Sequence, residues 1–177
     1  MIEGFGEWGA SDPFALEDWE LQMNRILGLT RLGKIVIAQS YTDGSVADRM
    51  FLLASYLLVK GPRSFINLDL DLDPEWWPEY EIPIGSYVGG VPADVSALYD
   101  GAAGVYRRNY TNGQVLVNPG TTTRTVSLGG TYYRADPVGG GFVPSTGDTS
   151  GWRVDYPAVT SLTLGPGRGA IVLNSRP

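Results

Sequence analysis

The chain has 177 residues, 43% of them hydrophobic and 18% charged, which is typical of a globular protein and not of a disordered one. It contains no cysteine and no histidine, which excludes disulfides, thiolate nucleophiles, Ser-His-Asp triads and zinc sites built on Cys or His. The net charge of −6 argues against a nucleic-acid partner, and the longest apolar run, at residues 50–59, is too short to span a membrane. Any catalysis near neutral pH must therefore depend on carboxylates, Tyr, Lys or Arg, and we expect no cofactor.

The first half of the chain alternates strands and helices. "MIEG", at residues 1–4, has the form of a buried strand that ends in a loop. A helical pattern over 12–33, an apolar strand over 34–39, a second helical pattern over 46–60 and an acid-rich strand over 63–73 follow. This alternation is typical of a β/α barrel or a doubly wound sheet.

Both predicted helices have clear sequence signals. The first is predicted to have Asp12 as its N-cap and Pro13 at its first helical position, and to end at Gly33. Its apolar residues at helical spacing are Leu16, Trp19, Met23, Ile26 and Leu27. The second helix is apolar around most of its circumference, which is more than one buried stripe requires.

The second half of the chain is rich in short β-type runs. They lie at residues 105–110, 114–118, 124–128, 131–135, 159–164 and 170–174. "TNG", "NPGTT" and "LGG" separate the first four as turns. Residues 1–95 carry 15 acids and 6 bases, whereas residues 96–177 carry 4 acids and 7 bases. We therefore predict a β/α segment over 1–95 and a small antiparallel β-sandwich domain over 96–177.

The sequence also resembles a known family. "YRRNYTNGQVLVNPG", "GTYYRADP" and "VTSLTLGPGRGAIVL" resemble the C-terminal β-domain of TIM-barrel glycoside hydrolases. Upstream, "IEGFGEW", "GKIVIAQSY", "RMFLLASYLLV" and "WWPEYEIPIGSYVG" resemble the closing part of the barrel, in the same order. The nearest group is that of the hypothetical glycosyl hydrolases with such a β-domain. The resemblance implies a partial (β/α) barrel followed by a β-sandwich, cleavage of a polysaccharide or oligosaccharide by paired carboxylates, and an extracellular location.

The chain departs from this family pattern in its number of strands. The barrel has eight strands and this sequence supplies three, so about five β/α units, with a second acid among them, are expected before residue 1. One carboxylate cannot perform both roles of a glycosidase. We therefore expect the isolated chain to be inactive, and to pair with the missing barrel part or with copies of itself.

Glu3 is the candidate catalytic residue. In β/α barrels, acids at the carboxyl ends of strands lie in the mouth of the active site. The resemblance implies that Glu3 acts there as a general acid/base or as the nucleophile. The alternative is a solvated acid beside a chain terminus.

Further candidates for substrate binding follow the other two strands of the first half. Gln39 and Tyr41 end the second predicted strand and could bond sugar hydroxyls, while Asp69 and Asp71 end the third. Asp69 and Asp71 either bind hydroxyls or simply face water. The "DLDLD" sequence also suggests a calcium loop, but it lacks the glycine and the distal glutamate of an EF-hand, so no metal site is predicted.

Three tryptophans, Trp8, Trp76 and Trp77, lie near the two ends of the β/α segment. Their aromatic faces suit the CH-rich faces of pyranose rings, so they are candidate stacking platforms. The alternative for Trp76 and Trp77 is that they pack a loop beneath the barrel.

Two functions remain open at this point. The chain is either the C-terminal part of a carbohydrate-cleaving hydrolase, or a non-catalytic structural, self-assembling or carbohydrate-binding protein derived from that fold. Its incomplete sheet, with an edge at Ile2, and the apolar helix at 46–60 both predict association through the β/α segment.

Overall fold

The computed structural model of the protein describes residues 1–7, 12–69, 71 and 73–177. Within these residues the chain forms two α-helices, two short 3₁₀ helices and thirteen strands. Neither α-helix in this described part is long and apolar enough to cross a membrane.

The first half of the chain forms a small parallel sheet with two connecting helices. Its elements are β1 (Ile2–Glu3), α1 (Leu16–Arg31), β2 (Val36–Tyr41), α2 (Val46–Val59) and β3 (Ser64–Asp69). The strands lie in the order β1-β2-β3, and both neighbouring pairs are parallel. The alternation of strands and helices expected from the sequence is confirmed.

The predicted start of α1 is wrong. The helix begins at Leu16, with Ala15 as its N-cap, and not at Pro13. Pro13 instead forms a β-bridge with Glu7, and the N–H of Phe14 donates to the carbonyl of Gly6 at 3.3 Å. These contacts tie the segment before the helix to the loop after β1. Four of the five predicted face residues are buried, whereas Leu16 is 42% exposed.

The second half forms a six-stranded sheet and takes part in two small two-stranded sheets. The strands from residue 75 onward are β4 (Glu75–Trp76), β5 (Tyr99–Asp100), β6 (Val105–Tyr110), β7 (Gly113–Asn118), β8 (Arg124–Arg134), β9 (Asp136–Val138), β10 (Gly141–Phe142), β11 (Arg153–Asp155), β12 (Ala158–Leu164) and β13 (Arg168–Leu173). The large sheet is antiparallel, with the order β12-β8-β13-β7-β6-β5. The two small sheets pair β4 with β10 and β9 with β11.

The turn predicted at "LGG" is wrong. Residues 124–134 form one continuous strand of 11 residues, β8, which pairs with β12. Gly129 lies in the middle of β8 with φ +73°, and the register with β12 shifts between Val159 and Ser161. Glycine adopts a positive φ at little cost, so Gly129 accommodates an irregularity in the pairing of β8 with β12 where the sequence had indicated a hairpin turn.

Helix α2 is buried on all sides from its third residue onward. Every residue from Asp48 to Val59 is buried, because the parallel sheet covers one face and the large sheet covers another. Gly169 of β13 lies so close to α2 that an added Cβ would be 2.7 Å from the carbonyl oxygen of Met50. The prediction that this helix leaves apolar surface for association is therefore wrong, since the chain's own β-strands cover it.

The large sheet carries apolar side chains on both faces. On the first face, Val115, Val117 and Ile171 join the main core with the residues of α1 and α2. On the other face, Leu116 and Val172 belong to a second cluster of buried side chains. The main core thus contains residues from both sides of the predicted domain boundary at residue 95.

Candidate active site

One face of the parallel sheet is turned away from the helices. Along β2, Val36, Ala38 and Ser40 are buried, while the alternate residues Ile37 and Tyr41 are 40% and 39% exposed. This period of two is the normal consequence of strand geometry. The outward residues form a surface that α1 and α2 do not cover.

Strand register arranges this outward surface in rows. Ile37 lies beside Phe65, toward the amino ends of the strands. One step further along, Gln39 lies between Glu3 and Asn67, and the next row pairs Tyr41 with Asp69. The surface is thus apolar toward the amino ends and polar at the carboxyl ends.

Hydrogen bonds link the polar rows. The Tyr41 hydroxyl donates to Oε1 of Glu3 at 2.8 Å. The Asn67 amide donates to Oε1 of Gln39 at 3.0 Å, and the Gln39 amide donates to Oδ2 of Asp69 at 2.8 Å. Two carboxylates are therefore each held by a neutral donor on the adjacent strand, and both lie at the open face of the sheet.

Four of the sequence-predicted residues, Glu3, Gln39, Tyr41 and Asp69, are brought together here. Asn67 was missed by the sequence reasoning. It lies two residues before Asp69 on β3, so the period-two rule for a strand places it on the same face and would have found it.

The hydrogen bond from Tyr41 to Glu3 raises the pKa of the Tyr41 phenol above its ordinary value, because ionisation would remove the donated proton. We expect Glu3→Ala, which removes the acceptor and the charge together, to bring that pKa back toward the usual tyrosine value of about 10. The pKa of Tyr41 is higher in the folded state than in the unfolded state. The hydrogen bond therefore stabilises the fold at neutral pH, and this stabilisation is lost as the pH rises through the folded-state pKa.

The test is a pH titration of the tyrosine ¹³Cζ signals by NMR. Asp69→Asn is the control, since Asp69 contributes the smallest of the influences that raise the pKa of Tyr41. A Tyr41 pKa that does not respond to Glu3→Ala would contradict the assigned hydrogen bond.

Among the remaining predicted residues that the structure describes, Asp71, Trp76 and Trp77 form none of the hydrogen bonds that link the polar rows. Trp8 lies outside the described residues. Asp71 lies beyond β3, where its N–H donates to Oε1 of Glu75 at 3.0 Å. Trp76 is 40% exposed in β4, and its ring packs edge-on against Tyr80 at 5.8 Å between centroids.

Trp77 is buried, with only 1% of its surface exposed. Its indole N–H donates to the carbonyl of Leu68 at 2.8 Å, and the Arg49 guanidinium lies 4.3 Å from the centre of its ring. It offers no free face to a sugar, so its position favours the alternative interpretation, in which it packs a loop against the sheet.

The outer edge of β3 is largely occupied by the chain's own groups. Leu68 has both of its backbone groups occupied on this edge. Its N–H donates to the hydroxyl of Tyr80 at 3.0 Å, and its carbonyl accepts from the indole N–H of Trp77. At the other end of the strand, the Ser64 carbonyl accepts from the Tyr56 hydroxyl at 2.6 Å, and the Ser64 N–H donates to the Gly61 carbonyl. These bonds protect an edge that would otherwise be free to pair with another strand.

No group of three or more Asp, Glu, His or Cys side chains in the described part of the chain is placed to hold a metal ion. The site consists of two carboxylates, two amides and one phenol. Such groups can transfer protons and bond hydroxyls without a metal.

Comparison with known proteins identifies the class. A sequence model of hypothetical glycosyl hydrolase family 15 matches residues 1–114, which include the whole parallel sheet and its polar surface. The chain belongs to this glycosyl hydrolase-like family. No curated protein and no solved structure matches it.

Proposed function

We propose that this chain is the closing β/α part of a TIM-barrel glycosidase together with its C-terminal β-sandwich, and that Glu3 is one of the two catalytic carboxylates. The observation that carries the proposal is the polar surface at the carboxyl ends of β1, β2 and β3. In a barrel, the inward face of the strands is packed with apolar side chains, and the active site lies at their carboxyl ends. The sheet face of this chain has the same order, with apolar Ile37 and Phe65 in one row and polar Glu3 and Gln39 in the next row toward the carboxyl ends.

The exposure of Glu3 and its contact with Tyr41 support this role. It is exposed at the open face, and the Tyr41 hydroxyl that donates to it fixes the position of one oxygen. The other oxygen is available to a substrate. In this proposal Glu3 acts as general acid/base or as nucleophile, and Tyr41 is the positioning residue.

Asp69, Gln39 and Asn67 are the proposed ligands for sugar hydroxyls. Asp69 lies two strands from Glu3 and two residues further along the strand direction. In this proposal the second catalytic carboxylate lies on an earlier strand of the barrel, as the family resemblance implies.

Barrel closure would also require a strand along the outer edge of β3. Trp77 and Tyr80 occupy the backbone groups of Leu68 on that edge. In this proposal, their segment must move when the complete barrel forms.

A titration with neutral oligosaccharides, followed by amide NMR, tests the proposed site in the chain as it stands. We expect shifts at Glu3, Gln39 and Asn67, and we expect Gln39→Ala to weaken them. Asn109→Ala, an exposed amide on β6, is the matched control. Shifts that avoid the sheet face, or that are indifferent to Gln39→Ala, would contradict the proposal.

The second candidate function is self-assembly, and the apolar half of the same face favours it. Ile35, Ile37 and Phe65 are 57%, 40% and 57% exposed. A contiguous exposed apolar patch of this kind often marks a protein interface. We propose that, without a barrel partner, a second copy of the chain covers it.

Sedimentation at micromolar concentration tests this association. We expect a discrete oligomer that Phe65→Glu dissociates, with Phe142→Glu as a control because Phe142 is 46% exposed on another sheet. A monomer of 19.1 kDa would contradict self-assembly.

A further inference from the structure

A cleft of about 460 Å³ lies between α1 and the large sheet. Leu16 and Glu20 of α1 form one wall, and Tyr99, Tyr106 and Arg124 from the large sheet lie around the rest. None of the residues of the polar sheet face lines it. The cleft is therefore a separate feature of the molecule.

An aromatic stack supports the mouth of this cleft. Tyr99 is 48% exposed, and its ring centre lies 5.1 Å from that of buried Tyr106. Tyr106 in turn packs on buried Trp19 at 4.9 Å. Tyr99 is thus the outermost of three rings in contact, and packing against Tyr106 restricts it, so that binding a ligand on it costs little conformational entropy.

Two opposite charges lie near this ring. Glu20 accepts a hydrogen bond from the Tyr106 hydroxyl, which holds one carboxylate oxygen in place. Arg124 is exposed, and it makes no ion pair or side-chain hydrogen bond with the described residues. The Arg124 side chain packs closely over Gly104, which has φ +70°. A Cβ added to Gly104 would lie 2.9 Å from the Arg124 Nε, so a larger residue at position 104 would displace the guanidinium.

We infer that this cleft binds a pyranose unit of a neutral oligosaccharide, a choice of ligand class that rests on the proposed function. The CH face of the sugar stacks on Tyr99, while Arg124 donates to ring hydroxyls and Glu20 accepts from them. One carboxylate and one guanidinium leave the cleft with no net charge, which suits a neutral, hydroxyl-rich ligand.

The surroundings of the cleft indicate where the rest of the saccharide lies. A second groove of about 650 Å³ shares Leu16, Gly120 and Thr121 with the cleft. This groove extends to Asp43, two residues beyond Tyr41. A saccharide held at Tyr99 can therefore extend toward the carboxyl ends of the parallel strands.

Amide NMR titration of the full chain with cellohexaose, xylohexaose, mannohexaose and maltohexaose tests the inference. We expect at least one of them to shift Tyr99, Gly104 and Thr122. We expect Tyr99→Ala and Arg124→Ala each to weaken that binding about tenfold, which corresponds to about 1.4 kcal/mol. Both side chains are exposed, so both variants should keep the native amide spectrum elsewhere.

Tyr41→Phe, on the sheet face, separates this inference from the proposed function. Cleft shifts that persist in Tyr41→Phe and are lost in Tyr99→Ala support the inference, whether or not the sheet face also binds. Shifts confined to Glu3, Gln39 and Asn67 would overturn it and leave the proposed function standing. Binding only of polygalacturonate oligomers, or of no saccharide at all, would also overturn it.

Discussion

Replacing Arg108 by alanine is expected to destabilise the protein by about 3 kcal/mol or more. The side chain is 3% exposed, and its Nη1 donates to the carbonyls of Leu57, Leu58 and Lys60 at the end of α2, at 3.2, 2.9 and 2.8 Å. Helix ends leave such carbonyls without partners inside the helix. Without the guanidinium, the Leu58 and Lys60 carbonyls lose this donor, at about 1–3 kcal/mol each, whereas the Leu57 carbonyl keeps its bond from the Tyr110 hydroxyl.

Urea unfolding followed by circular dichroism measures this loss. The neighbouring Arg107 supplies the control, because its ion pair with Asp100 is partly exposed and Arg107→Ala should cost about 1 kcal/mol or less. Arg108→Lys should be intermediate, since an ammonium cannot reproduce the planar fork of donors. Equal losses for Arg107→Ala and Arg108→Ala would contradict the role assigned to Arg108 at the end of α2.

A second large loss of stability, of about 3–5 kcal/mol, is expected for Glu79→Ala. Arg49 Nε and Glu79 Oε1 are 3.0 Å apart, and both side chains are almost fully buried. Arg49 also donates to the carbonyl of Gly139 at 3.1 Å, so the pair connects α2 with the loop before β10. Removing one partner leaves a charge buried without compensation.

A double variant tests whether the unpaired buried charge causes this loss of stability. The double variant Arg49→Met, Glu79→Leu should be less destabilised than Glu79→Ala, because it leaves no unpaired charge. Asp155→Ala is the exposed control, since its pair with Arg153 is about half exposed and should contribute about 1 kcal/mol or less. A double variant that is the least stable of the set would show that packing, and not charge, dominates this region.

Local sequence signals predicted most elements of the fold, and they failed where distant contacts decide. The pattern at 46–60 gave a helix, observed at Val46–Val59, but it could not show which surfaces would cover it. The capping signal at Asp12 and Pro13 was overridden by the bridge between Pro13 and Glu7. At Gly129, glycine suits either a hairpin turn or an irregular position within one long strand, and only the pairing with β12 distinguishes the two.

The candidate site was predictable for a similar local reason. Residues at the carboxyl ends of neighbouring parallel strands meet at one edge of a sheet, so Glu3, Tyr41 and Asp69 could be grouped without a structure. The sequence could not show that Trp76 is exposed and Trp77 buried, because the short segment around them has no repeating pattern of apolar residues. Burial of Trp77 depends on Leu68 and on Arg49, which the sequence does not place beside it.

Hydrolysis assays with the purified 177-residue chain test the central claim, that it carries one carboxylate of a divided glycosidase site. We expect no turnover of any polysaccharide or oligosaccharide, either by the chain or by Glu3→Gln, because the proposed function places the second carboxylate on another part of the barrel. Turnover that Glu3→Gln abolishes would show that the site is complete within this chain. Turnover that survives Glu3→Gln would remove Glu3 from the catalytic role altogether.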